Sequence, residues 1–136
     1  MVRAGIDSVC IDVETGSAPV QALFDGIGGR LPLGVGLGGV TILAQMDERT
    51  RDKIVELNEP RYGHGNVDAV TIRQEIAMLE VYGYVVGHRE SNRDLFAIAF
   101  NARKAGVYNS QAAISLIGPR IAMDAYAGRY LFLASH

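Results

Sequence analysis

Between Asp47 and Gly83 the apolar residues recur at helical spacing, while on both sides of that block they alternate with polar residues or form short apolar runs. No other feature of the chain excludes as many folds. A helical block set between two β blocks does not follow the alternating βαβ order, so its strands are expected to pair antiparallel with the helices packed against the sheet. The expected class is α+β. With 136 residues, 49% of them hydrophobic, the chain can bury the core of one domain and is too short for two comfortable ones.

The elements follow from spacing and punctuation. Residues 8–14 alternate Val9, Ile11 and Val13 with Ser8, Cys10, Asp12 and Glu14, the period of a half-buried strand, which predicts Val9, Ile11 and Val13 on the core side. A turn at Thr15-Gly16-Ser17-Ala18-Pro19 and a second alternation through Val20, Ala22 and Phe24 predict a hairpin. Leu31-Pro32-Leu33 is short and extended, and Pro32 bars it from a central strand. A first helix is expected over residues 40–46. Asp47 is the N-cap of a second, whose stripe is Met46, Thr50, Ile54 and Leu57 and which Pro60 stops, leaving residues 61–66 as loop. A third helix carries Ala69, Ile72, Ile76 and Leu79 and closes at Gly83. Strands are expected over residues 84–88, 95–102 and 112–117, the middle one apolar on both faces and therefore central. Lys104-Ala105-Gly106 makes a turn, and a last amphipathic helix with Ile121, Ala122, Tyr126, Tyr130 and Leu133 follows Gly118-Pro119. The expected order is ββ, ααα, βββ, α.

Charge and composition narrow the function. Thirteen Lys and Arg against fifteen Asp and Glu give a net charge of −2, so no basic face for a phosphate backbone is expected. A lone cysteine, Cys10, excludes an internal disulfide and a cysteine-based zinc cluster, and its apolar setting favours a buried thiol over a nucleophile. The longest apolar stretch is cut by Gly36, Gly38, Gly39, Thr41 and Gln45, so a membrane span is not expected. His64, His88 and His136 have no Ser, Cys or Asp at a diagnostic spacing, so no catalytic residues are expected. His88 and Glu90 share a strand face, half of a metal site at most, and no metal or other cofactor is expected.

The run Gly34-Val35-Gly36-Leu37-Gly38-Gly39 satisfies the dinucleotide fingerprint G-x-G-x-x-G at Gly34, Gly36 and Gly39. Its context does not, because a Pro-broken tripeptide precedes it and a polar helix follows where a second parallel strand ending in an acid is required. The physics of a glycine-rich helix start survives that rejection: unpaired N–H groups and a positive dipole end suit a carboxylate or another small anion. The same glycines also serve close helix-to-sheet packing. Ser115 is a single hydroxyl inside the apolar run Ala112-Ala113-Ile114-Ser115-Leu116-Ile117, and either the backbone or a ligand can satisfy it.

The segment from Gly29-Arg30-Leu31-Pro32-Leu33 through Gly34-Val35-Gly36-Leu37-Gly38-Gly39 to Ile42-Leu43-Ala44 resembles the start of the effector pocket in the IclR family of bacterial transcription regulators. Ile72-Arg73, Gly83-Tyr84, Ala99, Ala112-Ala113-Ile114-Ser115 and Gly118-Pro119-Arg120 continue the resemblance in order. It implies a GAF-like, profilin-like effector-binding domain filling residues 1–136. Its implied ligand is a small organic acid, and operator DNA would be bound by a winged helix-turn-helix that this chain lacks. Also implied are a cytoplasmic protein, a homodimer or tetramer, and ligand-facing positions at Leu37, Gly38, Gly87, Leu95, Ala97, Ser115 and Ile117 beside the helix start at Gly36 and Gly39. The family's acid at the position of Gly87 and its second serine at that of Ile117 are missing, so Ser115 is left to join backbone N–H groups around a carboxylate while apolar residues meet the body of the ligand. Two other readings stay open: an enzyme domain using the glycine turn for a nucleotide, and a ligand-free dimerisation module, which a cleft beside residues 36–39 filled by the domain's own side chains would favour.

Overall fold

The computed structural model describes residues 1–14, 27–63, 67–87, 95–106 and 111–119. A strand missing from the sequence reading opens the fold. β1 (Val2–Ala4) turns at Gly5, whose φ is 64°, into β2 (Asp7–Val9), and β3 (Arg30–Pro32) pairs with the far side of β2. Pro32 lies on an edge strand, as its missing N–H requires. The expected strand through Val20, Ala22 and Phe24, His64, the segment from His88 to Asp94 and the final helix lie outside the described residues.

A second antiparallel sheet is made by β4 (Tyr84–Gly87), β5 (Leu95–Asn101) and β6 (Ala113–Pro119), with β5 in the middle. The central place expected for this strand is the observed one, and Ala97 and Ile98 are buried on its two faces. A 3-10 turn over Ala102–Ala105 ends at Gly106 with φ 85°. The two sheets are stitched together: Ala113 N–H donates to the Met1 carbonyl, Arg3 N–H to the Gln111 carbonyl, and Val2 bridges Ala112. The combined strand order is β3-β2-β1-β6-β5-β4.

Helix α1 (Leu37–Ala44) begins three residues earlier than its propensity indicates, because Gly36 is extended and caps it. Leu37 to Leu43 are all buried, and the helix packs on strands of both sheets and on α3. A helix buried all round needs no amphipathic stripe. Its end is tied to the sheet by Gln45, whose Nε2 donates to the carbonyls of Thr41 and Ala112.

Helix α2 (Glu48–Tyr62) starts on Asp47, which accepts a hydrogen bond from Thr50 N–H at 3.1 Å. Pro60 does not stop it. The lost N–H of Pro60 falls in the last turn on an exposed face, and Tyr62 holds that turn by burying its ring and donating to the Leu33 carbonyl at 2.7 Å. The buried stripe is Ile54, Val55, Asn58 and Tyr62, whereas Leu57 is 54% exposed. Helix α3 (Ala69–Tyr82) closes as expected at Gly83, with φ 81°, and starts on Asp68, an N-cap the sequence reading did not name.

Of the strand expected over residues 8–14 only Asp7–Val9 forms, its phase is opposite to the expected one, and residues 11–14 are all exposed. Ser8 and Cys10 face the core, while Ile11 is 55% and Val13 48% exposed. Packing decides this: a Cβ on Gly39 of α1 would lie 3.6 Å from Ser8 Oγ, so the helix rests on small residues of β2, and Ser8 Oγ is satisfied by the Leu31 carbonyl.

Candidate functional site

The start of α1 is built by the loop before it. Gly34 holds φ 113°, and a Cβ there would lie 2.7 Å from Ile72 Cδ1 and 2.9 Å from the Tyr62 hydroxyl. At Gly39 a Cβ would lie 3.0 Å from Gly34 N. The chain can fold back this tightly only without side chains at both positions. Gly36 is different, since a Cβ there would meet only Leu31 at 3.9 Å. The glycines of the dinucleotide-like pattern are thus spent on a turn and on close packing, and all the described strand pairs are antiparallel, which leaves the βαβ context of a Rossmann site unmet.

What this turn delivers is a set of helix-start amides. The N–H groups of Leu37, Gly38 and Gly39 belong to buried residues, no side chain caps them, and they find no acceptor among the described residues. Such groups are unsatisfied by construction and attract an anion. Ser115 stands beside them, its Oγ 2.9 Å from the Cβ position of Gly38 and without a partner among the described residues.

Sheet register places the other expected residues underneath. Val85, Ala99 and Ser115 form one row across β4, β5 and β6, and Gly87, Ala97 and Ile117 form the next. Leu37 reaches down onto the second row, its Cδ1 3.9 Å from the Cβ position of Gly87. Leu37 and Gly38 thus lie against Gly87 and Ser115, with Ala97 and Ile117 in the row of Gly87, whereas Gly36 and Gly39 are nearest to Leu31 and to Gly34, Leu33 and Ser8, and the side chain of Leu95 lies outside the described residues. The small residues of both rows, Ala97 and Ala99 with Gly87, let α1 approach the sheet.

Two residues at this place escaped the sequence reading. Met1 lies directly on Gly38: its Sδ is 2.0 Å and its Cε 2.7 Å from the Cβ position there, so the cleft beside the helix start is filled by the domain's own side chain. Burial pushes the pKa of the Met1 ammonium below its usual value, against the opposing pull of Cys10 and Asp12, and the group donates to the Ala113 carbonyl. Glu75, on the stripe of α3, is 9% exposed and brings Oε2 to 4.0 Å from the Cβ position of Gly87. Neither has a local signal, because both arrive from distant parts of the chain. Open cavities lie elsewhere, one of about 150 Å³ lined by Thr41, Ala44, Gln45, Leu79, Glu80, Gly83 and Asn101, and one of about 230 Å³ between α2 and α3. Among the described residues no cluster of His, Cys, Asp and Glu could hold a metal ion, and no helix is long and apolar enough to cross a membrane.

Solved structures share this arrangement over nearly the whole chain. An IclR homolog from Microbacterium hydrocarbonoxydans, complexed with 4-hydroxybenzoate, matches 98% of the chain at 22% identity with a TM-score of 0.71. The IclR protein of Thermotoga maritima matches 98% at 17% identity with a TM-score of 0.71, and an IclR family transcriptional regulator from Brucella abortus matches 98% at 24% identity with a TM-score of 0.64. The fold is that of an IclR effector domain. The chain spans 57%, 57% and 52% of those three proteins. No family model and no curated protein matches it. The IclR fold accounts for the helical block between antiparallel strands, and it agrees with the α+β class expected from the residues.

Proposed function

We propose that the chain is the effector-binding domain of an IclR-type transcriptional regulator and that its ligand is a small organic acid. The observation that carries this reading is the set of buried, acceptor-less amides at Leu37, Gly38 and Gly39 with the Ser115 hydroxyl beside them. A carboxylate supplies the missing acceptor for the amides and for the hydroxyl, while Leu37, Ala97 and Ile117 meet an apolar body. The bound state is read out as transcription control, not turnover. Operator DNA is then the partner of a winged helix-turn-helix elsewhere in the full-length, cytoplasmic regulator, which works as a homodimer or tetramer. The IclR homolog holding 4-hydroxybenzoate supports a small-molecule role for this fold.

Thermal-shift measurements with a panel of small carboxylates test the reading. A ligand at a hundredfold excess over its Kd adds about 2.7 kcal/mol of stability, and Ser115→Ala is expected to weaken the best acid about tenfold. A panel without effect, or an acid indifferent to Ser115→Ala, overturns the site. The filling of the cleft by Met1 favours a second reading, a dimerisation module without a ligand. It predicts a flat thermal-shift panel together with a mass of two chains by light scattering.

A further inference from the structure

Gln45 caps α1 with half of its side-chain amide unused. Its Nε2 donates to the carbonyls of Thr41 and Ala112 at 3.1 Å each, which fixes the orientation of the group, because the reversed amide would set an oxygen against two carbonyl oxygens. Oε1, at the other corner, is shielded from water and is the one buried side-chain oxygen or nitrogen without a hydrogen-bond partner among the described residues. A buried acceptor in that state calls for a donor. The side chain stands on the wall of the cavity of about 150 Å³, room for a ligand of about six non-hydrogen atoms.

The electrostatics of this cavity have one sign. Thr41, Ala44 and Gln45 bring the C-terminal end of α1 to it, and Leu79, Glu80 and Gly83 bring that of α3, so two negative dipole ends converge there. Neither helix has a basic residue in its last turn, and α3 carries an acid, Glu80, where a cation is the usual complement. Arg51, which is not on the cavity wall, reaches one Glu80 oxygen at 3.4 Å and leaves the other. The Thr41 hydroxyl already donates to the Leu37 carbonyl, and Asn101 Oδ1 accepts from Arg103 N–H, so Asn101 Nδ2 is the one side-chain donor left on the wall among the described residues. No Lys, Arg or His is among the described residues that line it.

We propose that this cavity binds a small primary alkylammonium ion, which donates to Gln45 Oε1 and to the Glu80 carboxylate while Ala44 and Leu79 cover its alkyl part. Charge and donors select it together: an anion would meet two helix C-termini and a carboxylate, and a quaternary ammonium has no hydrogen to give Gln45. The site lies about 10 Å from the start of α1, at the opposite end of the same helix, and does not depend on acid binding there.

An NMR titration of the isotope-labelled chain with propylammonium chloride, against sodium chloride at the same ionic strength, tests it. The amides of Gln45, Gly83 and Asn101 should shift along one saturation curve with a Kd of about 1 mM or below, while that of Gly38 stays in place. Tetramethylammonium keeps the charge without the donors, and propanol keeps a donor without the charge; each should bind at least about tenfold more weakly. Glu80→Gln should weaken propylammonium about tenfold, and Ala44→Leu, which fills the cavity, should abolish its binding. Arg51→Met keeps an apolar stem and releases Glu80, so it should tighten binding about threefold. Glu80 is 59% exposed and tolerates substitution, which keeps the test decisive if Ala44→Leu does not fold. No saturable shift in the parent chain overturns the site, as does equal binding of the three probes or binding indifferent to Glu80→Gln and to a folded Ala44→Leu.

Discussion

Gly38 is the residue on which the site turns. A methyl group there would lie 2.0 Å from Met1 Sδ and 2.9 Å from Ser115 Oγ, so something must move. The thioether is the flexible end of a side chain and can swing away, whereas Ser115 is held in a strand between its neighbours. Gly38→Ala is therefore expected to cost stability only at the low end of overpacking, about 1 kcal/mol, while weakening acid binding at least tenfold. Urea denaturation and titration with the best acid from the thermal-shift panel give the two quantities separately. A large stability loss with intact binding would show that Gly38 serves packing and not a ligand. At this scale the sequence was informative where a residue's role is local: the glycines of residues 34–39 announce a helix start and close packing, and Ser115 announces a hydroxyl in need of a partner. It was silent on Met1 and Glu75, which reach the site across 37 residues in each direction from Gly38 and have ordinary neighbours in the chain.

At the scale of elements, capping fixed more of the fold than hydrophobic spacing did. Asp47 and Gly83 stand where the spacing of polar and apolar residues puts them, because a cap is satisfied by atoms three or four residues away. The stripe of α2 and the phase of β2 came out differently from expectation, because which face is buried depends on the distant surface laid against it, and the small Ser8 suits the close approach of Gly39 of α1. The Asp47 cap carries a pH signature. Hydrogen bonds from the side chain and backbone of Thr50 hold its carboxyl below the ordinary carboxylate range. A carboxyl whose folded pKa lies below its unfolded value stabilises the fold at pH above the unfolded value, and that contribution is lost as pH falls through the folded one. Asp47→Ala is accordingly expected to lower the urea midpoint at neutral pH, with the gap to the parent chain closing as the pH falls below the ordinary carboxylate range and through the lowered folded pKa. A gap of constant size across that range would remove the charge of Asp47 from the account of the cap.

For the whole molecule the decisive feature is the stitch between the two sheets, since α1 packs on strands of both and a ligand at its start would bear on both. Few bonds make the join: Arg3 N–H to the Gln111 carbonyl at 2.9 Å, Ala113 N–H to the Met1 carbonyl at 2.9 Å and the Met1 ammonium to the Ala113 carbonyl at 3.0 Å. Alternate residues of β1 face alternate neighbours, so Arg3 turns its N–H to the segment entering β6. Proline at position 3 removes that one donor, whereas alanine keeps it and removes only the side chain, with its bond to the Gly5 carbonyl. Arg3→Pro is expected to cost about 2 kcal/mol more than Arg3→Ala. Hydrogen exchange locates the loss: the Ala113 amide should exchange faster in Arg3→Pro, while the amides pairing β4 with β5 keep their protection, because that ladder lies beyond the join. If the two variants are equally stable and Ala113 remains protected in both, the sheets are held together by α1 alone, and the first strand then serves mainly to carry Met1 over the start of that helix.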